Sequence, residues 1–244
     1  MRHLWPLHLA GYDHVPSAGP AILCPNHLSF FDSVFMMMTL DRPVYFIGKA
    51  EYLDSWKTRR LFPAMGMIPI DRDNGTRAMV ALDAATGVLR DGALLCVFPE
   101  GSRSRDGRLH RGYPGAARLA TSVNCPILPV GIVGTDQIQP PGARLPRPGL
   151  VCSITIGTPL MPSLHEGAAR KLAARTLTDQ LMQRIAHLTG QEYVASYTRR
   201  PGGAAPPASL PRRRVPSIGR ARASKPMGPR FHGIPGLHWR PAAA

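Results

Sequence analysis

The 244-residue sequence is poor in cysteine, in acidic side chains and in long apolar runs. Its four cysteines show no paired spacing of the kind that metal or redox sites use, and three lie in short apolar runs. We therefore expect buried core cysteines in a reducing, cytoplasmic compartment. No stretch approaches the roughly 18 apolar residues of a membrane-spanning helix, and the N-terminus lacks the apolar centre of a signal peptide. These absences predict a soluble or peripheral protein.

Acidic residues are missing altogether from residues 199–244, which hold nine Arg, one Lys and nine Pro. That stretch carries a charge of +10, whereas residues 1–198 hold 20 basic and 15 acidic side chains, a net of +5. A segment so charged and so poor in apolar periodicity cannot bury enough surface to offset its ordering entropy. We predict a folded domain over residues 1–198 and a disordered, Arg- and Pro-rich tail over 199–244. The tail is either an electrostatic tether to anionic lipid or nucleic acid, or a solvated extension.

Short apolar runs alternate with longer helical patterns along the folded part. Strands are predicted at residues 21–24, 44–48, 67–70, 93–98, 127–133 and 151–157, and helical patterns at 30–40, 51–62, 76–90, 115–120 and 164–188, the last with Leu172 on its apolar face. This alternation predicts an α/β fold with a largely parallel or mixed central sheet covered by helices. Ligands in such folds collect beyond the carboxyl ends of the strands. The loops that follow residues 24, 70 and 98 are therefore expected to form the site.

The first of these loops contains His27 and, five residues later, Asp32. His8 and Asp13 have the same spacing, so spacing alone carries little information. His27 differs because it leaves an apolar strand and opens an amphipathic helix. Positions five apart differ by roughly 140° around a helix, so the two side chains can meet only if His27 lies before the helix or in its first turn. The pair is then a general base with its orienting carboxylate; the alternative is a helix-capping histidine beside an unrelated aspartate.

The other two loops supply arginines. Arg72 follows the strand at 67–70, and Arg103 and Arg105 lie in a loop rich in small residues after the strand at 93–98. The guanidinium is a permanently charged, planar fork that suits phosphate oxygens. Singly, either loop is compatible with a solvated surface. Together with the histidine and aspartate, the loops predict a base that faces an anion site.

Four ordered motifs, NHLSFFD, GMIPIDR, FPEGSRS and ILPVGI, resemble the sequence blocks of the glycerolipid acyltransferases, the 1-acylglycerol-3-phosphate acyltransferase-like family. The resemblance runs from about Gly11 to about Gly157. It implies transfer of a fatty acyl group from acyl-CoA or acyl-carrier-protein to a hydroxyl of a lysophospholipid, above all 1-acyl-glycerol-3-phosphate, giving phosphatidic acid. The sequence has no G-x-S-x-G elbow, so a covalent acyl-enzyme is not indicated.

The resemblance also implies roles for single residues. His27 is the base and Asp32 its partner. The residues implied to bind the acceptor are Asn26, Lys49, Arg72, Glu100, Gly101, Ser102 and Arg103. Pro129 is similar to a residue on the acyl-donor side, and Ser102 stands where threonine is commoner in the family. No metal and no cofactor other than the thioester co-substrate is implied.

A lysolipid acceptor implies that the anionic membrane surface is itself a binding partner. We expect a peripheral protein at the cytoplasmic, inner face of the plasma membrane. The stretch before Asn26 lacks the membrane helices of many family members, which leaves the segment around Trp56 and the basic tail as candidate attachments. Other acceptors stay open: glycerol 3-phosphate, a lyso-ornithine lipid or a glycolipid. A basic nucleic-acid-binding protein is the alternative of another class. It predicts interleaved basic and aromatic residues across the domain, which residues 1–198 lack.

Overall fold

A computed structural model describes residues 4–49, 66–70, 75–140, 143, 145–163 and 167–198. A 3-10 turn at Tyr12–His14 joins the first two strands. The strands and helices of this part of the chain are, in order, β1 (Leu7–Ala10), β2 (Ala21–Pro25), α1 (Phe31–Thr39), β3 (Val44–Lys49), β4 (Met67–Ile70), α2 (Gly75–Arg90), β5 (Leu94–Cys96), β6 (Leu109–His110), α3 (Gly115–Val123), β7 (Ile127–Val133), α4 (Thr135–Ile138), β8 (Cys152–Ile156), α5 (Gly167–Thr189) and β9 (Tyr193–Val194).

The central sheet is mixed, in the order β1-β8-β7-β2-β5-β3-β4. Strands β7, β2, β5, β3 and β4 are mutually parallel, β8 is antiparallel to β7, and β1 is parallel to β8. A largely parallel or mixed sheet covered by helices was the expectation from the sequence, and it is confirmed. Because β2 lies between β7 and β5, the loop after β2 has neighbours on both sides at the carboxyl edge.

Helices cover both faces of the sheet, so its central strands are apolar along their whole length. Ile22 and Cys24 of β2 face a core that includes α2, α3 and α5. Ala21 and Leu23 face a second core that includes α1 and Trp5. The alternation of β2 between two cores places its carboxyl end in the middle layer of three.

Several details differ from the sequence-based expectations. The strand at 93–98 is shorter, at Leu94–Cys96, and the strands β1, β6 and β9 were not anticipated. Leu172 is 69% exposed, so it does not belong to the buried face of α5. All four cysteines are free and buried, as predicted. The predicted helix at 51–62, Leu164 and the tail at 199–244 lie outside the described residues, so the predicted domain boundary stays a prediction.

Among the residues that the structure describes, no helix is both long enough and apolar enough to span a bilayer.

Candidate active site

Two loops meet at the carboxyl edge of the sheet, one after β2 and one after β5. These strands are parallel neighbours, so their carboxyl ends lie side by side. The first loop carries His27 and leads into α1, and the second carries the segment 98–108. Their backbones touch directly, because Ser104 N donates a hydrogen bond to His27 O at 2.7 Å. The predicted meeting of these two loops is thus confirmed.

His27 and Asp32 form a hydrogen-bonded pair. His27 lies ahead of α1 and Asp32 lies in its first turn, and Nδ1 is 2.9 Å from Oδ2. This is the arrangement that the five-residue spacing required. Oδ2 also accepts hydrogen bonds from Leu28 N at 2.7 Å and Ser29 N at 2.8 Å. Because Oδ2 already accepts hydrogen bonds from two backbone N–H groups, the proton between His27 and Asp32 is assigned to Nδ1 of His27. Nε2 of the neutral imidazole is then the basic nitrogen.

Three further contacts hold His27 in place. Its ring stacks on Phe98, with centroids 3.8 Å apart and planes inclined by 21°. Its backbone N–H donates to Glu100 Oε1 at 3.1 Å, and its carbonyl accepts from Ser104. The histidine side chain keeps 17% of its surface exposed while Asp32 is fully buried. His27 is thus oriented by its own loop and by the loop after β5, with part of its ring open to a ligand.

Glu100 is enclosed between the two loops. It is fully buried, and its two oxygens accept from the backbone N–H groups of His27 and His110. Burial raises the pKa of Glu100 from 4.5 to about 8, although the two N–H bonds partly offset that effect. Its side chain ties the loop after β5 to His27, and the role of this block in acceptor binding stays a prediction.

Asn26 is likewise enclosed rather than open to an acceptor. Its Nδ2 donates to Ile132 O and to Gln191 Oε1, both at 2.9 Å, and its Oδ1 accepts from Ile132 N at 2.8 Å. The side chain therefore continues the pairing of β2 with β7 past the end of β2. These bonds hold Asn26 directly before His27, and a contact of Asn26 with substrate stays a prediction.

Gly101, Ser102 and Arg103 form the turn after Glu100. Gly101 has a φ of +75°, in the left-handed region that favours glycine. Ser102 Oγ donates to Thr198 Oγ1 at 2.8 Å. Arg103 is exposed, and its guanidinium has no hydrogen bond or ion pair to the part of the chain that the structure describes. Of the predicted acceptor-binding side chains that the structure describes, Arg103 is the cation free to meet an anion.

The loop after Arg103 is held in shape by Asp106. This carboxylate accepts from Ser104 Oγ at 3.0 Å, from the Arg108 guanidinium at 2.8 Å and from His110 Nε2 at 3.0 Å. Burial by itself raises its pKa, but the hydrogen bonds from His110, Arg108 and Ser104 outweigh burial and hold the pKa of Asp106 well below its ordinary value. Asp106 is therefore a permanent anion that organises the loop beside Arg103.

Lys49 lies at the end of β3, and Arg72 follows the last residue of β4 by two positions in the sequence. Lys49 is the last residue of β3 and pairs with Ile70, the last residue of β4. The side chain of Lys49 and the whole of Arg72 lie outside the described residues, so their roles stay predictions. Because β3 separates β4 from β5, β4 lies two strand spacings, about 10 Å, from β5 across the sheet. Met67, at the start of β4, is level with Cys96 at the end of β5, so β4 extends beyond β5 at this edge.

Pro129 and Cys24 face each other in the sheet beneath the site. Pro129 is buried in the middle of β7, and its carbonyl accepts from Gly157 N at 2.8 Å. The Pro129 side chain is thus buried within the sheet. Its role on the acyl-donor side stays a prediction. Burial raises the pKa of the Cys24 thiol well above its ordinary value, which makes it a core residue rather than a nucleophile.

Some members of the site were not found from the sequence. Phe98, which stacks on His27, and Ser104, which binds its carbonyl, lie within or beside the FPEGSRS motif, so that motif was a usable signal. Gln191 and Thr198 lie far along the chain, after α5, where no motif or periodicity marks them. Among the residues that the structure describes, no group of three or more His, Cys, Asp or Glu side chains could hold a metal ion.

The family model named Acyltransferase matches residues 7–133, more than half of the chain. The chain belongs to the acyltransferase family. The matched range includes both loops of the site and ends with β7.

Curated relatives within the acyltransferase family agree with this placement. The chain is 30% identical over 139 residues to a chloroplastic 1-acyl-sn-glycerol-3-phosphate acyltransferase of Arabidopsis thaliana, covering 57% of this chain and 39% of that protein. It is 29% identical over 164 residues to a probable 1-acyl-sn-glycerol-3-phosphate acyltransferase of Mycoplasma pneumoniae, covering 62% and 60%. The chain thus spans 39% to 60% of the length of these two acyltransferases.

A solved structure shares the fold. The 1-acyl-sn-glycerophosphate (LPA) acyltransferase PlsC of Thermotoga maritima matches with a TM-score of 0.57 and 24% sequence identity, covering 74% of this chain and 72% of that one. At this level of identity the likeness establishes the fold of the acyltransferase domain.

Proposed function

We propose that this protein transfers a fatty acyl group from acyl-CoA or acyl-carrier-protein to the free hydroxyl of 1-acyl-glycerol-3-phosphate, which gives phosphatidic acid. The observation that carries the proposal is the His27–Asp32 pair at the carboxyl edge of β2, beside the loop that presents Arg103. Its curated relatives in the acyltransferase family are named for this acceptor. The anionic membrane surface, where such an acceptor resides, is part of the proposal.

His27 acts as the general base. Nε2 takes the proton of the acceptor hydroxyl while the hydroxyl oxygen attacks the thioester carbonyl carbon, and Asp32 stabilises the imidazolium through its bond to Nδ1. The tetrahedral intermediate then breaks its carbon–sulfur bond. The proton held by His27 passes to the leaving thiolate, so the products are an ester and a free thiol. A thioester is already activated, and the protein therefore supplies position and proton transfer rather than a covalent acyl intermediate.

Arg103 supports the proposal on the acceptor side. Its guanidinium is exposed one residue away from Ser104, whose backbone binds the His27 carbonyl. A phosphate held by Arg103 is thereby kept near the base. In 1-acyl-glycerol-3-phosphate a single carbon separates the carbon bearing the free hydroxyl from the phosphate ester oxygen, which is compatible with that proximity. The anion site predicted from the sequence is thus supported through Arg103.

The purified protein tests this function against a panel of acceptors. Lysophosphatidate, glycerol 3-phosphate, a lyso-ornithine lipid and monoacylglycerol are each offered with acyl-CoA and with acyl-carrier-protein. We expect ester formation with lysophosphatidate to have the highest kcat/KM. A higher kcat/KM with another acceptor would overturn the proposed acceptor, and no acyl transfer to any of them with either donor would overturn the proposed reaction.

A further inference from the structure

Residues 191–198, here called the C-terminal strap, run along both loops of the site after α5. They lie well beyond residue 133, where the match to the acyltransferase family ends. The strap contains β9, which pairs in parallel with β6. On either side of this pair, Leu109 N donates to Glu192 O at 2.9 Å and Arg111 N donates to Ser196 O at 3.0 Å. The strap therefore belongs to the folded domain. It packs against the segment that follows the loop after β5, which is here called the acceptor loop.

The beginning of the strap joins the two loops of the site. Gln191 Oε1 accepts from Asn26 Nδ2 at 2.9 Å, and Gln191 Nε2 donates to Gly107 O at 2.8 Å. Asn26 directly precedes His27, and Gly107 belongs to the loop after β5. The single amide side chain of Gln191 thus links the loop that carries His27 to the acceptor loop.

The end of the strap holds the turn that presents Arg103. Thr198 Oγ1 donates to Glu100 O at 3.1 Å and accepts from Ser102 Oγ at 2.8 Å. The preceding Tyr197 stacks on Tyr113 with ring centroids 4.5 Å apart, which anchors the strap at this point. The single hydroxyl of Thr198 therefore bridges Glu100 and Ser102, in the turn before Arg103, and uses both its donor and its acceptor capacity.

We propose that the C-terminal strap positions the acceptor site, with Thr198 setting the place of the Arg103 guanidinium and Gln191 setting the place of His27. The inference rests on the proposed function. A strap that links the two loops through Gln191 and holds the turn before Arg103 through Thr198 determines the separation between the phosphate-binding group and the base. That separation selects acceptors in which the hydroxyl lies close to a phosphate.

Variants of the full-length protein at Thr198 and at Gln191 test the two ends of the strap separately. Thr198→Val keeps the shape of the side chain and removes both hydrogen bonds, so the KM for lysophosphatidate should rise about three- to tenfold while the KM for acyl-CoA stays the same. Thr198→Ser retains the hydroxyl and should restore the acceptor KM. Gln191→Leu should instead lower kcat by a similar factor, because it loosens the residue before His27.

Thr86→Val is the matched control, since the Thr86 hydroxyl bonds Leu82 O at 2.8 Å within α2, outside the site loops. It should leave every constant unchanged. An unchanged acceptor KM in Thr198→Val, or a loss confined to kcat that Thr198→Ser does not reverse, would overturn the inference while leaving the proposed function intact. Wild-type protein that transfers no acyl group to lysophosphatidate would overturn both, so the two failures are distinguishable.

Discussion

At the scale of single residues, one carboxylate oxygen of Asp32 orients much of the site. Asp32 Oδ2 accepts three hydrogen bonds, whereas Oδ1 has no partner among the described residues. The carboxylate thus anchors the start of α1 and the His27 ring with one oxygen. The position of His27 between an apolar strand and a helix predicted this pair, because a histidine before the helix or in its first turn can reach Asp32. The enclosed positions of Glu100 and Asn26 were not predictable, because the fold brings their hydrogen-bond partners, among them His110, Ile132 and Gln191, to them.

The exposed guanidinium of Arg103, beside the buried Glu100, gives a prediction for acceptor binding. Arg103→Lys keeps the charge but loses the planar fork, so the acceptor KM should rise while the donor KM changes little. Steady-state kinetics with each substrate varied in turn measures both constants. Arg118→Lys, an exposed position on α3, is the matched control and should behave as wild type. A defect confined to the donor KM would place Arg103 on the thioester side of the site.

Glu100 gives a prediction for the pH dependence of stability. Its pKa is raised from 4.5 to about 8 in the folded protein, so the folded state holds this proton more tightly than the unfolded state does. The stabilising effect is complete below about pH 4.5 and is lost as the pH rises through about 8. Urea denaturation across this range should show Glu100→Gln losing less unfolding free energy than wild type. Equal slopes in the two proteins would contradict the raised pKa.

At the scale of elements, the sheet was more predictable than its edges. The strand at 127–133 and the strand at 67–70 agree with their predicted bounds, because each is a short apolar run next to a turn signal. Strands β6 and β9 have two residues each, too few for any period to show. Leu172 fits the helical period of α5, yet it is 69% exposed, whereas Leu181 and Ile185 farther along the helix are fully buried. Periodicity identifies a face but not how far its neighbour reaches.

The packing of α5 on β7 gives a prediction at this scale. A Cβ added to Gly131 would lie 2.7 Å from Leu188 Cβ and 3.1 Å from the Leu188 backbone, which cannot swing away as a side-chain tip would. Gly131→Ala should therefore destabilise the protein by about 1–3 kcal/mol in thermal denaturation. Gly87 in α2 is the control, because a Cβ there meets nothing within 4 Å. Gly87→Ala should stabilise slightly, and a neutral Gly131→Ala would contradict the close approach of α5.

At the scale of the whole molecule, the net charge per residue rises sharply after the end of the strap. Residues 1–198 carry a net charge of +5 and residues 199–244 carry +10. The strap that ends at Thr198 is bonded to the acceptor loop, so the basic tail begins one residue after a contact of the proposed site. Composition predicted the charge of the tail. It did not predict where the tail begins relative to the site, because that depends on the pairing of β9 with β6.

The tail gives a prediction for membrane binding. If its charge tethers the protein electrostatically, binding to anionic vesicles should weaken steeply with salt, since the attraction decays over about 8–10 Å at ordinary ionic strength. Truncation after Thr198 preserves the strap, so it should reduce flotation with vesicles at low salt and spare turnover on a short-chain, water-soluble acceptor. Equal flotation of full-length and truncated protein at low salt would show that the tail does not contribute to attachment.

The most direct test of the proposed reaction compares two histidines with the same five-residue spacing to an aspartate. His27 is hydrogen-bonded to Asp32 at the carboxyl edge of β2, whereas His8 is exposed on the edge strand β1. The measurement is release of free thiol from acyl-CoA in the presence of lysophosphatidate, with circular dichroism to verify that each variant is folded. His27→Ala should lower the rate about 10²–10⁴-fold, the usual contribution of a general base, while His8→Ala retains the wild-type rate. A folded His27→Ala protein that releases thiol as fast as wild type would contradict the assignment of His27 as the base.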